Sequence, residues 1–250
     1  MSPSGSAKDL IFAVLIPAFN EAPTIRAVAE GALAHVDRVI VIDDGSEDGT
    51  ADAVSGLPVD LVRHSENAGK GHRLSQGIAH AVANGADAVI SLDADGQHAP
   101  ADIPVFQEAF RANPDAMIIG DRTADRANMP MYRQKGVAFG DFFLTWATDQ
   151  RLRDGQCGMR VYPAVVNEFP MDDQDKEKFT FENLVLLYAA DRGIDFIRVP
   201  IKARYLETPH RHSHYRPRAD TWLITKSITR FIVRRNFKLR GLLIALGLVR

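Results

Sequence analysis

The chain has 250 residues, 46% hydrophobic and 25% charged, and so has the makings of an ordinary globular protein with one large domain or two small ones. A single cysteine, Cys157, excludes an intrachain disulfide framework and a multi-cysteine zinc site, in keeping with a reducing compartment. The net charge is only −2 but unevenly spread: Arg198 to Arg250 carries thirteen Lys and Arg against Glu207 and Asp220, which points that stretch toward an anionic partner, a membrane surface or a nucleic acid.

The opening MSPSGSAKDL lacks a basic segment followed by an apolar run, so residues 1–9 read as a disordered lead-in rather than a signal peptide. From there strand-like and helix-like pieces alternate. LIFAVLIPA precedes a helical APTIRAVAEGALAHV, and RVIVIDD precedes a short helix from DGTADAV. VDLVRH leads to GKGHRLSQGIAHAVANG, and DAVISLD to ADIPVFQEAFRAN. Repeated βα units of this kind imply right-handed crossovers and a mainly parallel sheet. After AMIIGDR the rhythm loosens through a long helix near 133–148, an irregular RLRDGQCGMRVYP, a helix from Phe181 to Arg192 and a strand in IDFIRVPIKARYL. A last helix is expected from about Ala219 to Leu239. On it Lys226, Arg230, Arg234 and Lys238 recur every four residues beside an apolar stripe of Ile224, Ile228, Phe231 and Ile232. With the apolar GLLIALGLV that follows, residues 219–250 read as an amphipathic basic helix and tail docked on an anionic membrane surface; the competing reading is a core-packed helix with a solvated face. No uncharged apolar run reaches the roughly 18 residues of a membrane span.

The chemistry concentrates where strands end. SLDADGQH places Asp93 and Asp95 at the exit of a buried strand, the edge at which open α/β sheets bind ligands. Asp and Gly also make ordinary turns, but two carboxylates there can share one hard cation, Mg²⁺ or Mn²⁺, and leave coordination sites for phosphate oxygens. PAFNE and DDGSEDGT end the first two strands. Asp44 is suited to accept hydrogen bonds from a nucleobase or ribose and the Phe19 ring to stack on a base, whereas Ser46 and Asp48 have the simpler role of helix caps. NAGKGHRL lacks the G-x-x-x-x-G-K-[ST] spacing of a phosphate loop. Cys157 reads as a buried thiol, and Arg160 with Asp154 as an ion pair or a substrate contact. In HRHSHYRP the alternation of His210, His212 and His214 suggests a metal cluster, but a loop rich in His and Arg more often binds phosphate, and Arg211, Arg216 and Arg218 are expected to meet the diphosphate or a lipid phosphate.

The ordered series PAFNE, DDGSEDGT, NAGKG, LDADGQH, IIGDR, DGQCGMR and FTFEN resembles glycosyltransferase family 2. Within it the series is most similar to the soluble catalytic domain of polyprenyl-phosphate sugar synthases of the dolichol-phosphate mannose synthase type. The resemblance spans about residues 10–222 and implies a glycosyltransferase A-type α/β fold, a mainly parallel Rossmann-like sheet flanked by helices, with residues 10–218 as the catalytic domain. It implies that Pro17, Phe19, Glu21 and Asp44 contact the nucleoside. Asp93 would lie near ribose and metal, with Asp95 and Gln97 holding the metal and His214 completing its shell. Arg122 and Arg133 would meet donor or acceptor phosphates, and Glu182 would lie on the acceptor side. The implied activity is inverting transfer from a nucleoside diphosphate sugar to a lipid-linked acceptor, a polyprenyl phosphate, by a cytoplasmic enzyme peripheral to the inner face of the membrane. Transfer to a hydroxyl of a saccharide or pigment lipid is the alternative within the class. A sugar-nucleotide pyrophosphorylase and a nucleic-acid binder are weaker readings; the latter leaves the clustered acids unused, so no nucleic-acid partner is expected.

Overall fold

The computed structural model describes residues 9–124, 131–176, 180–202, 217–235 and 237–249. The expected lead-in, residues 1–8 for the most part, lies outside them. Seven strands form one sheet in the order β3-β2-β1-β4-β6-β5-β7. They are β1 (Phe12–Ala18), β2 (Val39–Asp43), β3 (Asp60–Arg63), β4 (Ala88–Ser91), β5 (Met117–Asp121), β6 (Arg160–Pro163) and β7 (Phe196–Pro200). The inner strands are short β-branched runs buried along almost their whole length, the pattern of a sheet covered on both faces. β1 pairs in parallel with both β2 and β4, so the chain winds outward to β3 and then returns to the other side of β1. That reversal opens a crevice between the carboxyl ends of β1 and β4, the switch point at which such sheets bind ligands.

The helices follow the expected alternation: α1 (Ala22–Leu33), α2 (Thr50–Ala53), α3 (Lys70–Ala83), α4 (Ile103–Ala112), α5 (Met131–Thr148) and α6 (Thr180–Asp191). Helix α3 packs on β1, β2 and β4, and α4 on β5, β6 and β7. One strand escapes the sequence reading. RVYP, placed in an irregular stretch, is β6, fully buried and antiparallel to both β4 and β5. It brings the DGQCG loop that precedes it back over the end of β4.

The C-terminal reading needs correction. The single helix expected to about Leu239 is two, α7 (Pro217–Arg234) and α8 (Leu239–Ala245). The apolar stripe of α7 belongs to the core: Ile228, Phe231 and Ile232 are buried and Ile224 packs beside them, against α5 and α6. The core-packed reading therefore holds for α7, because a stripe this wide stabilises more when buried against two helices than when left for a partner. Arg235 fixes the turn after α7 by an ion pair to Asp191 at 3.0 Å and a hydrogen bond to the Ala147 carbonyl at 2.7 Å, and Lys238 pairs with Asp149 at 3.3 Å. Gly241 lets α8 lie directly against the Trp146 carbonyl of α5; any Cβ there would collide with that backbone oxygen.

Candidate active site

The edge is assembled first by backbone bonds between strand exits. Ser46 Oγ accepts from the Asn20 N–H at 2.9 Å, Thr50 Oγ1 from the Glu21 N–H at 2.8 Å, and Asp48 Oδ2 from the Ala22 N–H at 3.0 Å. The loop after β2 thus clamps the loop after β1, leaving Pro17, Phe19 and Glu21 half-buried along the crevice. Asp44 differs from its expected role. It is 3% exposed; Oδ1 accepts from the Ala68 N–H at 2.8 Å and from Arg73 Nε at 2.5 Å, while Oδ2 accepts from the Gly69 N–H at 2.8 Å. Its carboxylate is spent on anchoring the 67–70 loop at the head of α3. Ser46 and Asp48 are structural, but as the clamp between the two loops rather than the expected helix caps; the N-cap of α2 is Gly49, with no side-chain cap bond.

The anchored loop delivers Lys70 to the exit of β4. Its Nζ lies 2.7 Å from Asp93 Oδ1 and 3.1 Å from Glu182 Oε1, one ammonium bridging the first acid of the D-x-D to the acid at the start of α6. Burial opposes the charge on Lys70, but Asp93 and then Glu182 outweigh it and hold the amine above the ordinary lysine range. Burial likewise works against ionisation of Asp93, yet the Lys70 ammonium keeps its carboxyl well below the usual carboxylate range. Lys70 is therefore a resident cation and not a base. Asp95 Oδ1 accepts the Gln97 N–H at 2.9 Å, a tight turn that joins two of the expected ligands. Gly158 makes room for this set, since a Cβ there would overlap the Asp93 carboxylate. Ser91 Oγ, donating to the Gly158 carbonyl at 2.6 Å, fixes the two segments together. Behind Asp93 lies His98, buried and kept neutral by desolvation, with Nδ1 3.5 Å from Asp93 Oδ2 and Nε2 3.7 Å from the Cys157 thiol. Burial pushes that thiol up to about 12, so Cys157 has the inert role expected of it.

The third wall is the DGQCG loop. Asp154 pairs with Arg122 rather than with Arg160: its carboxylate accepts Nε and Nη2 at 2.7 Å each and the Arg122 backbone N–H at 2.9 Å, a bidentate fork that aims the guanidinium. Asp154 itself sits at φ +56°, a region that non-glycine residues seldom occupy, and Asp141 holds it there by accepting the N–H groups of Asp154 and Gly155 at 2.9 and 2.8 Å. Arg160 is fully buried. It donates to the carbonyls of Cys157, Glu182 and Gly155 at 2.8, 2.5 and 2.6 Å, tying the loop to α6. The expected Asp154–Arg160 ion pair is replaced because the strand start at Arg160 turns that side chain inward among carbonyls. Lys70, Asp141 and the true role of Arg160 escaped the sequence reading. NAGKG was visible as a motif, but only the sheet order shows which acids its lysine meets.

The structure brings Asp93, Asp95, Gln97, Arg122 and Glu182 to one edge. The side chains of Arg133 and Arg218 and all of His214 lie outside the described residues, as do Arg211 and Arg216. Among the described residues no three His, Cys, Asp or Glu side chains form a cage for a metal. The oxygen set of Asp93, Asp95 and the Gln97 amide nonetheless suits a hard divalent cation that draws its remaining ligands from phosphate.

Residues 13–167 match the family described as Glycosyl transferase family 2. An uncharacterized protein of Methanocaldococcus jannaschii is 31% identical over 210 residues, 80% of this chain and 84% of its own. The UDP-N-acetylglucosamine–dolichyl-phosphate N-acetylglucosaminyltransferase of Methanococcus voltae is 26% identical over 220 residues, 80% and 88% of the two chains. Among solved structures, glucosyl-3-phosphoglycerate synthase from Mycobacterium tuberculosis, in complex with Mn²⁺, UDP and phosphoglyceric acid, superposes with a TM-score of 0.68 at 19% identity, covering 92% of this chain and 80% of that one. That likeness bears on the fold, which is of the glycosyltransferase A type. A match across most of the sheet, together with acids gathered at the β1–β4 crevice, makes this chain a member of glycosyltransferase family 2.

Proposed function

We propose that the protein moves a sugar from a nucleoside diphosphate sugar to a polyprenyl phosphate, with inversion, using Mg²⁺ or Mn²⁺ at Asp93 and Asp95. The observation that carries the choice of acceptor is the state of Glu182. A hydroxyl acceptor needs a base to take its proton, whereas a phosphate oxygen is already ionised near neutral pH. Glu182 is 6% exposed and its Oε1 is engaged by the Lys70 ammonium, so it serves as a counter-ion and positioning residue instead of a waiting base. The Methanococcus voltae relative, named for transfer to dolichyl phosphate, supports the same acceptor class.

In this reading Phe19 stacks on the base, Pro17 and Glu21 line the nucleoside pocket, and Asp44 acts through the loop it anchors. Asp93, Asp95, Gln97 and His214 would hold the divalent cation, which would supply charge neutralisation to the departing diphosphate. Arg122, aimed by Asp154, and Arg133 hold phosphates so that an acceptor oxygen lies in line with the anomeric carbon. The new carbon–oxygen bond forms as the bond to the diphosphate breaks, and its electron pair leaves with the nucleoside diphosphate. One displacement of this kind inverts the anomeric centre without a covalent enzyme intermediate. Glu182→Gln separates the acceptors: with polyprenyl phosphate kcat is expected to stay within about tenfold of the parent, any loss appearing in KM, whereas loss of a general base costs about 10²-fold or more. A severe kcat loss with donor affinity and folding intact would favour the hydroxyl acceptor.

A further inference from the structure

With the α7 stripe buried, a different surface is left without a partner among the described residues. Helix α8 turns Gly241 and Ile244 inward. Leu239, Leu242, Leu243 and Leu246 recur at i, i+3, i+4 and i+7 on its opposite side. Leu239 is 66% exposed, Leu246 55% and Leu248 68%, with Phe237 and Val249 also open to solvent. A contiguous group of large exposed apolar side chains in so short a stretch marks an interaction surface. Residues 221–250 contain seven Lys and Arg and no Asp or Glu. Arg235 and Lys238 are paired with acids of other elements and Arg230 lies in the field of Asp175, whereas Arg240 on α8 has no ion pair among the described residues.

We infer that the outer face of α8, with the Phe237 turn before it and Leu248 after it, docks on an anionic lipid surface. Leucines enter the acyl boundary while Arg240 and the half-exposed Lys238, on the same stretch, meet headgroups. Charge decides the occupant: a second copy of the same patch would set cations against cations, whereas anionic headgroups neutralise them. The placement also agrees with the site. A groove of about 470 Å³ runs between α5 and α8, lined by Phe142, Ile244, Arg151 and Arg153 and reaching Thr123. Ile244 places this groove on the inner side of α8, behind the docking face, and because Thr123 follows Arg122 and Arg153 precedes Asp154, its other end borders the Arg122–Asp154 fork. That it guides a lipid phosphate inward rests on the proposed function; the docking does not.

The test is flotation of the full chain with vesicles of phosphatidylcholine alone or mixed with phosphatidylglycerol, without donor or acceptor. Recovery is expected with the anionic vesicles and to fall with added salt. Leu239→Ser combined with Leu246→Ser should lower it at least about tenfold, and Arg240→Gln severalfold. Turnover of a water-soluble short-chain prenyl phosphate by the same variants should stay at the parent level, which shows that they fold. No recovery, equal recovery on both vesicles, binding indifferent to the leucine pair, or a dimer in solution that the leucine pair abolishes would each overturn the inference. Docking without any sugar transfer would sink the proposed function and leave the docking standing.

Discussion

Lys70→Met is expected to lower kcat/KM by about 10²- to 10³-fold, the range for losing one fixed electrostatic contact in an active site. The ammonium lies between Asp93 and Glu182 at 2.7 and 3.1 Å, and methionine fills the space without the charge. Two carboxylates then face each other unneutralised. Breaking a fully buried ion pair costs about 3–5 kcal/mol, but Lys70 and Asp93 keep 23% and 26% side-chain exposure, so roughly 2 to 3 kcal/mol is expected. The sign with pH follows from the two shifts. Asp93, depressed, contributes stability above the ordinary carboxylate value near 3.9 that is lost as pH falls below it. Lys70, raised, contributes fully below the ordinary lysine value near 10.4 and loses it only at more alkaline pH. The stability difference between parent and variant should thus be flat from about pH 8 to 9 and shrink as pH falls, first where Asp93, left facing Glu182 without the ammonium, takes up a proton in the variant, and finally below about pH 4 in the parent. Denaturant melts across that range would show it; a difference that grows as pH falls would contradict the assignment.

Arg160→Met should destabilise the protein by at least about 3 kcal/mol, because three buried carbonyls lose their donor at once. For a chain of this length that is a drop of roughly 6 to 12 °C in Tm. The Gly155 and Cys157 carbonyls lie in the loop that carries Asp154 and Gly158, so activity should fall further than Tm alone explains, through misplacement of Arg122 and Asp93. Calorimetry with kcat/KM at a temperature where the variant remains folded checks both parts. A variant as stable as the parent would mean that water or a rearranged loop satisfies those carbonyls.

What the sequence makes legible follows the range of the interactions. The exits of β1, β2 and β4 are readable because a β-branched run followed by Pro, Asp or Gly is a local signal, and the acids proposed to hold the metal sit on it. Strand β6 is not, since RVYP has four residues, stands among Gly, Asp and Gln, and gains its place only by pairing between β4 and β5. The partners of charged groups are the least readable. Asp154 finds Arg122, 32 residues away, instead of Arg160, six away, and Lys70 meets an acid 112 residues distant. Asp44 looks identical in sequence whether it faces a ligand or the 67–70 loop; only burial decides. Periodicity on α7 gave the right face but not its partner, because an apolar stripe carries no mark of whether protein or lipid covers it.

The most direct measurement is nucleoside diphosphate release from a panel of nucleotide sugars, with and without polyprenyl phosphate and with and without Mn²⁺, for the parent and for Asp95→Ala. Release by the parent is expected to require both the lipid phosphate and the cation, and Asp95→Ala, although it folds like the parent, is expected to release none. Release that persists without the lipid phosphate, or an Asp95→Ala variant that still works with Mn²⁺, would contradict the proposed function.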